Sequence, residues 1–159
     1  MNLNHYSMSR RTFVATLAAA LSAVWLAPGT LRAAQKALIR KTIPGTGEAL
    51  PVIGLGSSRT FDIGRDQAVL NNLVEVMQAF LANGGQLIDS SPMYGSAEQV
   101  IGELLQRSGP QNKLFAATKV WTDGEQDGIR QMEDSLKKWR LDRFDLMQIH
   151  HLRDWQVHL

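Results

Sequence analysis

A chain of 159 residues with 44% hydrophobic side chains carries enough apolar surface for one domain with a core of its own. Its formal net charge of +2 comes from 17 basic and 15 acidic side chains interspersed along the sequence, which is no nucleic-acid footprint. Cysteine is absent, which excludes a disulfide framework and thiolate chemistry and says nothing decisive of compartment.

The first 34 residues stand apart. Ser9-Arg10-Arg11-Thr12-Phe13 precedes an apolar run from Phe13 to Ala27, softened by Thr16, Ser22 and several alanines, and Pro28-Gly29 breaks it. Paired arginines, a phenylalanine two places on and a mildly apolar stretch resemble a twin-arginine export signal. The resemblance implies the twin-arginine translocase as a partner and a periplasmic destination. The run is short for a membrane span. Leu31-Arg32-Ala33-Ala34 gives no clean small-x-small cleavage triplet, so an uncleaved membrane anchor stays open beside a cleaved leader. A buried amino-terminal helix with a chance Arg-Arg is the plain alternative. Residues 1–34 are therefore left out of the fold, and any membrane contact is expected through them alone.

Beyond them, Leu38–Ile43 has strand character and ends in the turn-rich Pro44-Gly45-Thr46-Gly47, with Leu50–Val52 returning as its hairpin partner. Val52–Gly56 is a first core strand, short and apolar as parallel strands are. Its Gly54-Leu55-Gly56 lacks the third glycine and the helix start of a dinucleotide-binding fingerprint. Asp66 to Asn83 predicts a helix, with Val69, Leu70, Leu73, Val76, Met77, Phe80 and Leu81 on one broad apolar face and Gly84 free to take a left-handed end. Gln86–Asp89 is the second strand. Ser96-Ala97-Glu98-Gln99 reads as a capping box opening a second helix to Arg107, with Val100, Ile101, Leu104 and Leu105 inward and Glu98 suiting the helix dipole.

Leu114–Lys119 is a third strand. A third helix follows over about 127–140, with Ile129, Met132, Leu136 and Trp139 on one face and Glu133–Lys137 and Asp134–Lys138 paired on the wet side. Phe144–His150 is a fourth strand, and Asp154 caps the first turn of a further helix. Strands starting near 52, 86, 114 and 144 repeat every thirty residues or so, the spacing of right-handed crossovers in a parallel sheet.

The chemistry gathers where strands end. Leu87-Ile88-Asp89-Ser90-Ser91-Pro92-Met93-Tyr94-Gly95 sets a carboxylate at the end of an apolar run and a phenol five residues on, across a turn that Pro92 keeps from continuing the strand. Lys119 and His150 end the next two strands, and the carboxyl edge of a parallel sheet is where such folds house their sites. Taken singly, a strand-end lysine beside an aspartate reads as a structural ion pair and a strand-end histidine as a core residue. His151 points the other way by strand alternation.

In order and spacing, Ile43-Pro44, Gly47-Glu48, Leu50–Gly56, Leu87–Gly95, Ala117–Val120 and Asp145–His150 resemble the aldo-keto reductase family over about residues 38 to 159. The resemblance implies an α/β fold, the parallel (β/α)8 TIM barrel, of which 35–159 would hold the first four β/α units. It also implies an oxidoreductase that moves hydride from NADP(H) or NAD(H) to a small aldehyde or ketone. Tyr94 would be the general acid. A free phenol keeps its proton to about pH 10, so it needs help, and the Lys119 charge would stabilise the phenolate. Asp89 would hold the ammonium and His150 would donate to the substrate carbonyl.

Gly56, Ser57, Ser58 and Asp89 would lie near the nicotinamide, and no metal is expected. A full barrel takes about 250 residues. The expectation is therefore a fragment, inactive by itself, with Val52, Leu55, Leu87 and Ile149 or their neighbours left facing solvent. A half-barrel that dimerises and a non-catalytic nicotinamide-binding or interaction module are the alternatives.

Overall fold

A computed structural model of the protein describes residues 37–109 and 113–159. The paired arginines and the apolar run lie outside the described residues. The first described elements are strands β1 (Arg40–Thr42) and β2 (Ala49–Pro51), an antiparallel hairpin around the Pro44–Gly47 turn. Arg40 reaches from it to the Gln86 side-chain oxygen at 2.7 Å, which ties the hairpin to the amino end of the main sheet.

That sheet has four parallel strands in sequential order: β3 (Leu55–Gly56), β4 (Leu87–Asp89), β5 (Phe115–Val120) and β6 (Leu146–Ile149). Helices α1 (Gln67–Ala82), α2 (Ala97–Ser108) and α3 (Glu125–Trp139) fill the crossovers. The predicted first strand, Val52–Gly56, shrinks to two residues. The Val52 amide is spent on Ile39 in the hairpin, and Val52 and Ile53 are exposed. Leu55 packs against the core rather than facing solvent, because it pairs with Ile88 on the helix-covered side.

Alternation along the strands sorts the two faces. Ile88, Ala116 and Thr118 turn toward the helices and are buried with Leu70, Leu73, Met77, Ile101, Leu104 and Trp139. The opposite side takes Asp89, which pairs with Ala117, and Lys119, which pairs with Gln148. This register puts Asp89, Lys119 and Gln148 on one side of the sheet.

Asp66, read as the first residue of the helix, is its cap and accepts from the Ala68 and Val69 amides, and Gly84 takes a positive φ after its end. The apolar face of α1 is narrower than the sequence suggests: Leu70, Leu73 and Met77 are buried, while Val69 and Val76 are exposed. The predicted capping box at α2 does not form. The Ser96 hydroxyl instead donates to Asp62 and accepts from the Gly64 amide, bracing the loop before α1.

Glu98 lies fully inside, where Thr118 (2.7 Å), Ser135 (2.9 Å) and Trp139 (3.3 Å) all donate to its carboxylate. It joins α2, β5 and α3, a larger part than the dipole contact foreseen for it. On α3, Trp139 is buried edge-on to Phe144, Ile129 is exposed, and of the two expected pairs Asp134–Lys138 closes at 2.7 Å. After β6 the chain bends into a 3-10 turn (His150–Leu152) and a short helix α4 (Trp155–His158). The Asp154 side chain accepts from the Gly124 amide, at the start of α3, instead of capping α4.

Candidate active site

β4 is short because Ser90, Ser91 and Pro92 turn the chain out of the sheet into the α2 loop. The Ser90 amide still holds the Ala117 carbonyl, and the Tyr94 amide closes the turn on the Ser91 carbonyl at 3.0 Å. Asp89 therefore ends its strand beside Lys119, whose ammonium donates to both carboxylate oxygens at 2.7 Å and to the Ser90 carbonyl at 2.8 Å. Three acceptors meet the three N–H groups an ammonium has. Lys119 thus reaches Tyr94 through its charge, with Nζ 5.6 Å from the centre of the phenol ring. The pair is half shielded from water, the lysine side chain 13% exposed and the aspartate 33%.

His150 is buried where β6 gives way to the 3-10 turn. Its Nδ1 lies 2.6 Å from the Ser91 hydroxyl, and its ring stands edge-on to Tyr94 with centroids 5.6 Å apart. Burial lowers its pKa from the ordinary histidine value, the positive charges of His151 and Lys119 add to the effect, and Asp89 opposes it. His151 is exposed, but by a route other than strand alternation. It takes a left-handed φ of 56° inside the turn, and its ring packs on that of His150 at 4.4 Å.

Asp89, Tyr94, Lys119 and His150 are thus brought together at the carboxyl edge of the sheet. Of the other expected residues, Gly56 ends β3 with open space where a Cβ would stand, and Ser58 is exposed. Ser57 is turned inward and fully buried, its hydroxyl on the Asp89 carbonyl (2.9 Å) and the Ser90 hydroxyl (2.7 Å). Its side chain acts as a strut between β3 and β4. Sequence reasoning missed Gln148, which donates to Asp89 at 3.2 Å. Its place two residues before His150, on the strand beside Lys119, was the available signal.

Residues 52–157 match the family model described as "Aldo/keto reductase family". The chain belongs to the aldo/keto reductase family. Among curated reductases it is 35% identical over 116 residues to the methylglyoxal reductase YeaE of Escherichia coli K12, a match covering 70% of this chain and 39% of that protein. Among solved structures it is similar to a thermostable aldo-keto reductase crystallised with the inhibitor epalrestat (TM-score 0.62, 30% identity), over 71% of this chain and 43% of that one. It is also similar to an aldo-keto reductase of Klebsiella pneumoniae in complex with NADPH (TM-score 0.60, 27% identity), over 71% of this chain and 40% of that one.

The chain spans about two fifths of the length of these aldo/keto reductases. Its parallel β/α units match about half of such a barrel. The Klebsiella pneumoniae relative is seen with NADPH, and at the carboxyl edge of this chain's sheet the described residues leave open backbone beside a fixed charge pair. The backbone at Gly56 is open, the exposed Ser58 adjoins it, and the Asp89–Lys119 pair fixes charge on the same sheet edge.

Proposed function

We propose that these residues form the carbonyl-reducing centre of an NAD(P)H-dependent oxidoreductase acting on small aldehydes or ketones. One observation carries the reading: the Lys119 ammonium, closed on both oxygens of Asp89, faces the ring of Tyr94, and His150 stands edge-on to that same ring. A reduced nicotinamide held at this edge would supply the hydride that the carbonyl carbon takes up. Tyr94 protonates the carbonyl oxygen as negative charge develops there. The fixed charge of Lys119 stabilises the phenolate that remains, and Asp89 with Gln148 keeps that charge in place. His150, kept neutral chiefly by burial with the Lys119 charge adding to the effect, donates a ring N–H to the same oxygen and orients it. Gly56 and Ser58 would border the nicotinamide, and Ser57 and Asp89 hold the loop that they lie on.

The relatives named above support this reading, one a methylglyoxal reductase by name and one seen with NADPH. The test is a hybrid barrel, residues 38–159 joined to the remaining part of the Escherichia coli methylglyoxal reductase, with NADPH and NADH supplied in turn. Methylglyoxal should drive cofactor oxidation, and Tyr94→Phe should lower the rate by about 10²–10⁴-fold while leaving cofactor binding in place. A folded hybrid that never oxidises cofactor, or a Tyr94→Phe form at the parental rate, overturns the assignment.

From the sequence of residues 9–27 we also propose export by the twin-arginine route to the periplasm. A reporter fused after residue 40 should stay in the cytoplasm when Arg10 and Arg11 are both changed to lysine; unchanged export would remove the claim.

A further inference from the structure

Ser91 touches both proton-handling residues of the candidate site and has no role in the reading so far. It is fully buried. Its carbonyl accepts the Tyr94 amide, and its hydroxyl oxygen accepts the Met93 amide at 3.2 Å. The same hydroxyl lies 2.6 Å from His150 Nδ1. A serine hydroxyl has one proton to give. With Met93 donating to Oγ, that proton needs an acceptor, and Nδ1 is the acceptor it meets among the described residues. The opposite arrangement, Nδ1–H donating to Oγ, would leave a buried hydroxyl proton unpaired, which folded proteins avoid.

We propose that Ser91 is a positioning residue that locks neutral His150 in the tautomer carrying its proton on Nε2. Nδ1 is then occupied as an acceptor, and the donor of the ring is Nε2. Through its carbonyl and its hydroxyl, one residue sets the register of Tyr94 and the tautomer of His150 together. The functional meaning rests on reading His150 as the donor to the substrate oxygen; the tautomer itself does not.

The experiment is solid-state NMR on the full chain with ¹⁵N-labelled histidine, which reads ring nitrogens in soluble and sedimented protein alike. Spectra are taken well above pH 6.5, the ordinary histidine midpoint, and His150 is assigned by the signals lost in His150→Gln. The expected result is a protonated-type Nε2 and an unprotonated-type Nδ1. Ser91→Ala should replace this single form by a mixture or by the Nδ1–H tautomer, and Ser91→Thr, which keeps the hydroxyl, should retain it. A protonated Nδ1 in the unaltered chain, or an unchanged single tautomer in Ser91→Ala, overturns the proposal. The spectrum answers whether or not the hybrid barrel reduces a carbonyl, so failure of the functional reading and failure of the tautomer lock are distinguishable.

Discussion

His150 sits at a strand end beside Lys119 and His151, a place that disfavours its own positive charge. Burial is the main cause, so the folded protein binds a proton on this ring less readily than the unfolded chain does. Between the lowered midpoint and 6.5 the unfolded state therefore holds the extra proton, and stability rises with pH. The contribution is whole above 6.5 and drains away as the pH falls from there toward the folded midpoint. Urea unfolding at stepped pH should show this loss, and His150→Gln, which cannot take the charge, should flatten it. Equal slopes in the two proteins would contradict the assignment. The Asp89–Lys119 pair behaves differently, since each charge has its opposite at 2.7 Å. Its value lies in holding a cation in one position beside Tyr94 more than in stability, which such half-exposed pairs supply sparingly.

Among the elements, α2 crosses α3 at a close backbone contact. A Cβ added at Gly102 would stand 1.9 Å from the Lys138 carbonyl oxygen and 3.1 Å from the Trp139 Cα, both backbone atoms that cannot swing aside. Glu98, on the same helix, accepts from Ser135 and Trp139 of α3 and from Thr118 of β5, so α2 and α3 share a polar joint next to a close backbone contact. Alanine favours a helix over glycine by about 1 kcal/mol, whereas forcing extra volume into a packed contact costs roughly 1–3 kcal/mol and more where backbone must move. The clash wins. Gly102→Ala should lower the midpoint of chemical unfolding; a midpoint unchanged or raised would show that α3 can slide away without penalty.

For the whole molecule, the exposed apolar side chains set the behaviour. Val52, Ile53, Leu146, Leu152, Trp155 and Val157 are all exposed in residues 38–159, and among the described residues β3 and β6 each have one unpaired edge in the four-stranded sheet. Burying a large aliphatic side chain is worth roughly 1.5–3 kcal/mol, against a total margin of about 5–15 kcal/mol for a domain. Unpaired parallel edges also invite pairing with other chains. Residues 35–159 expressed by themselves should therefore self-associate and show no carbonyl reduction as a monomer. Size-exclusion chromatography with light scattering, a thermal melt and an NADPH assay check this. A monodisperse, cooperatively melting, active monomer would overturn it, and an active symmetric dimer would point to a barrel rebuilt from two copies.

The sequence by itself determined the period of the fold and the edge on which its chemistry stands. Strand-helix repeats of about thirty residues and Asp89, Lys119 and His150 at strand ends follow from local patterning, because alternation and capping are written within a few residues of one another. The family resemblance carried by Leu87–Gly95 and Asp145–His150 was legible for the same reason, as it rests on short contiguous motifs. Tertiary structure alone decided what depends on partners distant in sequence. Ser96 had the right neighbours for a capping box, yet Asp62 and Gly64, more than thirty residues earlier, took its hydroxyl. Ser57 was expected near the nicotinamide and became a buried strut on Ser90. Gln148 reached Asp89 only through the register of β6 on β5, and Ser91 met His150 across 59 residues of chain. A hydroxyl or an amide takes whichever partner packing leaves closest, and that choice is made by the fold after the local pattern has set the strands in place.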